Sequence, residues 1–349
     1  MGAALPASLL VVRLGAIGDV VNALVFATAV KDASPDTRIG WAVHPLAFPL
    51  VEGHPSVDRV HLWPRNAGRV GWRMVRDEVR AAGYEVAVDL QRILKSAWLA
   101  RSSGATRVLG FDRRRAKEFS WLLTTERIAP GDPREHMVER YLAFARHLGA
   151  LNPVARHLLP PDAEAAAWAK DKAGELGGAP VILNLGASKL PNRWPAERFG
   201  ELARALGAEL DAPIVLTGGP ADRSAADAAL LACRGSATDL VGATSLRQLY
   251  HLMDHARLFV GCDTGPMHLA AARRLPVVAL FGPADPRRTG PWGAQHRVAR
   301  SPDFDPTVPF QSARMADLTV ETVLATAIDL DREPCTRARR TRRPHRRPR

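Results

Sequence analysis

Seven short runs rich in Val, Ile and Leu punctuate the chain: "SLLVVRLG", "TRIGWAVH", "YEVAVDLQ", "APVILNLG", "APIVLTGG", "ARLFVGCD" and "LPVVALFG". Segments of helical length separate them. Apolar residues at consecutive rather than alternating positions mark strands covered on both faces, the condition of a parallel sheet flanked by helices. Three of the runs precede the middle of the chain and four follow it, so the expected fold is α/β with two doubly wound sheets. The 349 residues are too many for one ordinary core and suit two domains.

Between the two sets, "LPPDAEAAAWAKDKAGELGGAP" offers Asp162 as a helix cap, runs through helix formers and closes on Gly177 and Gly178. It marks the passage between domains. The first domain is placed at residues 1–155, a connecting helix at 156–178 and the second domain at 179–300. A C-terminal segment at 301–331 ends in the amphipathic pattern "LTVETVLATAIDLD". Residues 332–349, "REPCTRARRTRRPHRRPR", hold nine arginines against one glutamate, which leaves +4 of the overall +12 for the rest of the chain. With three prolines and no apolar periodicity, that tail is expected to be disordered, either as a plain solvated extension or as an attachment to an anionic surface.

No apolar stretch reaches the length of a membrane span, and the glycines and Asp19 of the first long one do not make a secretory cleavage region. Cys233, Cys262 and Cys335 are odd in number and widely spaced, which fits neither a disulfide framework nor a metal cluster. The expected location is the cytoplasm.

In doubly wound sheets the loops after the strands carry the chemistry. The first run continues as "VVRLGAIGDVVNAL", where Arg13 interrupts the apolar stretch, Gly15 and Gly18 break it and Asp19 stands alone. An acid there is either a helix cap or a chemical group. In the second half, Ser188, Lys189, Asn192 and Arg193 follow one strand in "NLGASKLPNRWP", and Asp222 follows paired glycines in "LTGGPADR". Asp263, Thr264, Gly265 and His268 open a helix in "GCDTGPMHLAAA".

A helix start with small residues suits pyrophosphate, though Asp263 or Thr264 equally reads as a simple cap with Pro266 in the first turn, and His268 as a packed side chain. Asp222 suits a ribose hydroxyl or the stabilisation of its own turn. The dinucleotide fingerprint and the phosphate-binding P-loop are both missing from the sequence, which disfavours a dehydrogenase or a P-loop ATPase. Without a metal-ligand pattern, the charge of a diphosphate falls to backbone amides and to Lys189 or Arg193. In the first half, cations at Arg65, Arg69, Arg73, Arg76, Arg92, Lys95 and 113–117 suit an anionic substrate, although most read as ordinary surface charge.

Taken in order, "VVRLGAIGDVVNAL", "DLQRILKSA", "NLGASKLPNRWPAERF", "LTGGPADR" and "GCDTGPMHLAAARRLPVVALFGPADP" resemble the bacterial lipopolysaccharide heptosyltransferases of glycosyltransferase family 9. The resemblance spans residues 9–293. It implies a GT-B architecture of two Rossmann-like domains facing a central cleft. The implied reaction is an inverting, metal-independent transfer of heptose from ADP-heptose to the inner core of a lipid A-linked oligosaccharide, with no cofactor. It also implies Asp19 as the essential acid. The implied donor residues are Ser188, Asp222, Asp263, Thr264, Gly265 and His268, and the implied acceptor cations are Lys95, Lys117, Arg140 and Arg65. Asn192 stands where the family commonly has Lys, which transfers the phosphate-facing role to Lys189, and Arg92 replaces a common small residue.

A one-step inversion needs a base for the acceptor hydroxyl and donors for the leaving diphosphate. On this reading Asp19 is the base. A lipid-linked acceptor implies association with the anionic inner face of a membrane, with no dedicated nucleic acid partner. The competing readings are a sugar-nucleotide epimerase of the same architecture and a non-catalytic binder of anionic surfaces or nucleic acid acting through the tail.

Overall fold

The computed structural model describes residues 5–64, 66, 68–187, 189–305, 307–308 and 312–333. Ser188, Arg65, Cys335 and the arginine tail from 334 onward lie outside the described residues. The chain divides into two compact units between Pro161 and Asp162.

Unit 1 contains strands β1 (Ser8–Val12), β2 (Arg38–Val43), β3 (Arg59–Leu62), β4 (Val86–Asp89), β5 (Arg107–Gly110) and β6 (Glu126–Arg127). Its helices are α1 (Ile17–Ala33), α2 (Gly68–Ala82), α3 (Leu94–Ser102) and α4 (Met137–His147). The strands form one parallel sheet in the order β3-β2-β1-β4-β5-β6. β1 is apolar at every position because it is buried throughout. Helix α1 is buried from Val20 to Val30, as a helix apolar on all sides must be, and packs on α4. Helix α2 instead buries one stripe, Gly71, Val75 and Val79, at the four-residue spacing of an amphipathic helix.

Residues 156–161 stay with unit 1. Arg156 pairs with Asp32, and a ring nitrogen of His54 lies 3.1 Å from the Leu158 carbonyl. This places the division somewhat beyond the expected limit at 155. The predicted connecting helix, α5 (Ala163–Glu175), is part of unit 2 because it has a partner there. Asp162 caps it by accepting from the Ala165 amide at 2.9 Å, as its sequence suggests, and Gly177 ends it with a left-handed φ of 76°.

Unit 2 continues with β7 (Val181–Asn184), α6 (Ala196–Leu210), β8 (Ile214–Thr217), α7 (Arg223–Cys233), β9 (Thr238–Asp239), α8 (Leu246–His255) and β10 (Leu258–Cys262). It ends with α9 (Gly265–Ala272), β11 (Val277–Phe281), α10 (Pro286–Thr289), β12 (Arg297–Arg300) and α11 (Val320–Arg332). Its sheet is also parallel, in the order β12-β11-β10-β7-β8-β9. Helix α5 packs on α8, and the Arg247 guanidinium lies 3.3 Å from the Asp162 carboxylate. Gly200 permits the close approach of α6 and α7: a Cβ there would stand 2.2 Å from the Ala229 carbonyl oxygen. Helix α11 packs on α6 and on the β11–β12 side of the sheet, fixed by Asp331 on Arg257 at 2.6 Å.

Each sheet reverses its winding once, between β1 and β4 in unit 1 and between β7 and β10 in unit 2. Strand order reverses there, and in sheets of this kind ligands bind outside the carboxyl ends of the strands at that point.

Candidate active site

In unit 1 the reversal point lies between the turn after β1 and the loop after β4. The Leu14 amide donates to the Gln91 side-chain oxygen at 2.6 Å and ties the two together. Asp19 sits in the first turn of α1 with its side chain 40% exposed. Its partner is Arg13, only 4% exposed, whose guanidinium forms an ion pair with the carboxylate and donates to the Leu90 carbonyl at 3.1 Å. A Cβ on Gly15 would meet nothing within 4 Å, so the backbone there is open to an approaching ligand.

Burial works against the Arg13 charge, but Tyr141, Asp19 and Asp89 nearby outweigh it, and its pKa is raised. The same burial pushes the Asp89 carboxyl up to about 6 despite its bonds from Ser96, Gln91 and Arg92, and the Tyr141 hydroxyl up to about 12. Sequence reasoning took Arg13 for a break in an apolar run and did not single out Asp89 or Tyr141. The signal available for Arg13 was the acid six residues later, since a cation at a buried strand end needs a partner.

Two of the predicted acceptor cations share one region. Lys95 opens α3 and holds its ammonium 4.3 Å from the centroid of the Trp63 ring. The loop bearing exposed Lys117 is tied to the same place: the Lys117 amide and the Ser120 hydroxyl both donate to the Arg92 carbonyl, at 2.8 and 2.9 Å. Arg140 departs from expectation. It is 1% exposed on α4, and its guanidinium donates to the backbone carbonyls of Glu135, at 2.9 Å, and Pro133. A charge buried in that way supports the 133–135 loop.

In unit 2 the loops after β7 and β10 flank the reversal point and carry most of the predicted donor residues. Lys189 is exposed, and its carbonyl accepts from the Asn192 amide at 3.0 Å. Arg193 donates from Nε to the Ala187 carbonyl at 2.9 Å and reaches within 3.8 Å of Asp222. Trp194 anchors this loop by donating to the Leu318 carbonyl at 2.8 Å. Asp222, after β8, accepts from the Gly219 amide at 2.9 Å, and its carboxylate fills the space a Cβ on Gly186 would need, 2.8 Å away. Of the two roles open to it, stabilisation of the turn is the one its contacts display.

Helix α9 starts at Gly265 with Thr264 as its cap residue, whose side chain makes no capping bond: the Thr264 hydroxyl donates backwards to the Cys262 carbonyl at 3.2 Å. Asp263 accepts from Thr289 at 3.0 Å, and His268, largely buried, lies 3.7 Å from its other oxygen. The Gly265 and Met267 amides therefore make no bond to the cap side chain, Pro266 between them has no N–H, and the positive end of the helix dipole lies behind them. Cys262 is buried, and burial pushes its thiol up to about 12, which leaves it inert. Among the described residues no group of three or more His, Cys, Asp or Glu is placed to hold a metal ion, and no helix is long and apolar enough to cross a membrane.

The model of glycosyltransferase family 9 (heptosyltransferase) matches residues 72–316. The chain belongs to this family. It is 30% identical over 306 residues to lipopolysaccharide heptosyltransferase 1 of Pseudomonas aeruginosa, covering 84% of each chain. Among solved structures it is similar to a family 9 glycosyltransferase from Veillonella parvula, with a TM-score of 0.81, 21% identity and coverage of 93% and 97% of the two chains. It is likewise similar to the ADP-heptose lipopolysaccharide heptosyltransferase II of E. coli, with a TM-score of 0.76, 24% identity and coverage of 93% and 98%. The fold is GT-B, and family 9 membership makes the chain a glycosyltransferase, which sets aside the epimerase and the non-catalytic binder.

Proposed function

We propose that this family 9 enzyme transfers heptose from ADP-heptose to the inner core of lipopolysaccharide, on a lipid A-linked Kdo or heptose acceptor, in one inverting displacement without a metal. The observation that carries the reading is the half-exposed carboxylate of Asp19, held by a buried arginine where the winding of the unit 1 sheet reverses. Its role is to take the proton of the acceptor hydroxyl as that oxygen attacks the anomeric carbon. The leaving ADP departs from the same carbon on the opposite face. Its diphosphate is stabilised by the first-turn amides of α9 and by Lys189 or Arg193, in place of a cation.

Lys95 and Lys117 are assigned to the anionic acceptor, and Asp263 with His268 to the donor side. Ser188 and Arg65 remain assigned by resemblance alone. The enzyme works in the cytoplasm, and its acceptor brings it to the anionic inner face of the membrane. Calorimetry with ADP-, UDP- and GDP-sugars, followed by transfer assays with and without EDTA, tests the proposal. ADP-heptose binding and EDTA-insensitive transfer with inversion are expected. Preference for another nucleotide, or loss of transfer with EDTA, contradicts it.

A further inference from the structure

A buried arginine that reaches one exposed acid has two possible purposes: it neutralises itself, or it aims the acid. The contacts of Arg13 favour the second. Its main-chain carbonyl accepts from the Trp41 indole of β2 at 3.1 Å, and its guanidinium donates to Leu90 after β4 at 3.1 Å. The backbone of Arg13 is thus tied to β2 and its guanidinium to the residue after β4 before it meets Asp19. The titratable groups that act on it are Asp89 at the end of β4, Asp19 on α1 and the Tyr141 hydroxyl on α4, with Arg92 and Arg140 acting in turn on Tyr141. Asp89 attracts the guanidinium but forms no ion pair with it among the described residues, so Asp19 is the carboxylate that Arg13 directly holds. Asp19 sits on the first turn of a helix with 40% of its side chain in solvent, where an unheld carboxylate samples several rotamers.

We propose that Arg13 is a positioning residue for transfer: it pins one carboxylate oxygen of Asp19 and leaves the other directed at the acceptor hydroxyl. The inference rests on Asp19 being the base. Fixing a reacting group in attack geometry is worth on the order of tenfold to a hundredfold in rate. Lysine keeps the charge at this position but lacks the fork that serves Asp19 and the Leu90 carbonyl together.

The test compares kcat and KM for ADP-heptose, ADP affinity and thermal stability in Arg13→Lys, Arg13→Met, Asp19→Asn and the double variant Arg13→Met with Asp19→Asn. The expected result is a loss of kcat on the order of tenfold or more in Arg13→Met, with a smaller loss in Arg13→Lys. KM for the donor and ADP affinity stay unchanged, and Arg13→Met adds no further loss to Asp19→Asn in single-turnover reactions. Asp19→Glu replaces Asn as the background if the Asn rate falls below detection. Arg13→Lys carries the test alone if Arg13→Met does not fold. An unchanged kcat, a rise in donor KM that accounts for the loss, or losses that multiply fully in the double variant overturns the proposal. Wild-type turnover by Asp19→Asn overturns it in a different way, because the base assignment itself then fails.

Discussion

The cluster behind Asp19 stores a cost that a single substitution releases. Asp89 is 1% exposed, and burial raises its carboxyl from the ordinary 3.8 to about 6, a difference of about 3 kcal/mol between the two protonation states. The folded protein therefore keeps a proton that the unfolded chain has released between about pH 4 and pH 6, and stability falls as pH rises through that window. The penalty is absent below about pH 4 and complete by pH 7. Asp89→Asn keeps an oxygen to accept from the Gln91 and Arg92 amides, at 3.0 and 3.3 Å, and gives up attraction to Arg13. A net gain of about 1–3 kcal/mol at pH 7, and none at pH 4, is expected for unit 1.

The wild-type curve alone does not show this, because burial lowers His54 to about 4 and unit 1 loses stability from that histidine as pH falls from 6.5. The difference between Asp89→Asn and wild type cancels the histidine contribution. Hydrogen exchange of peptides covering β1 and β4, measured against urea at pH 4, 5, 6 and 7, reads unit 1 separately from unit 2. A difference that does not grow with pH refutes the reasoning, and so does a variant less stable than wild type at pH 7.

Other outcomes are expected from the same contacts. Gly200→Ala drives a methyl into the Ala229 carbonyl of the neighbouring helix and should cost unit 2 about 2–3 kcal/mol in urea unfolding; an unchanged midpoint contradicts the packing. Asp222→Ala leaves the Gly219 amide without its acceptor, costs about 1 kcal/mol and weakens ADP binding through the loosened turn, as calorimetry would show. Deleting 334–349 removes eight arginines but spares Glu333, the partner of Arg297. Turnover on a soluble acceptor should survive, whereas partitioning to anionic vesicles should weaken.

The sequence displayed every interior strand except β5, because β1, β2, β4, β7, β8, β10 and β11 are apolar at consecutive positions. The remaining strands escaped it. "RVHL" of β3 and "RVLG" of β5 contain no run of three apolar residues, and the edge strands β6 and β9 are two polar residues each. Such segments become strands because a neighbour supplies the ladder, and their own side chains do not announce it. The loops after the unit 2 strands were legible as loops and helix starts because glycines and a helix-opening Asp-Thr-Gly-Pro leave a local signature. The burial of Arg140 was not legible, because a buried arginine bonded to backbone carbonyls looks, in sequence, like any exposed one. Arg13 was missed for the opposite reason: its meaning lies in a contact across a turn, and spacing alone does not reveal which way a side chain points.

The most direct measurement is single-turnover transfer from ADP-heptose by Asp19→Asn, with ADP affinity measured on the same preparation. The substitution keeps size and removes the capacity to accept a proton. ADP is expected to bind as in the wild type while transfer falls by on the order of a hundredfold or more. Turnover within a few-fold of wild type contradicts the role of Asp19 as base.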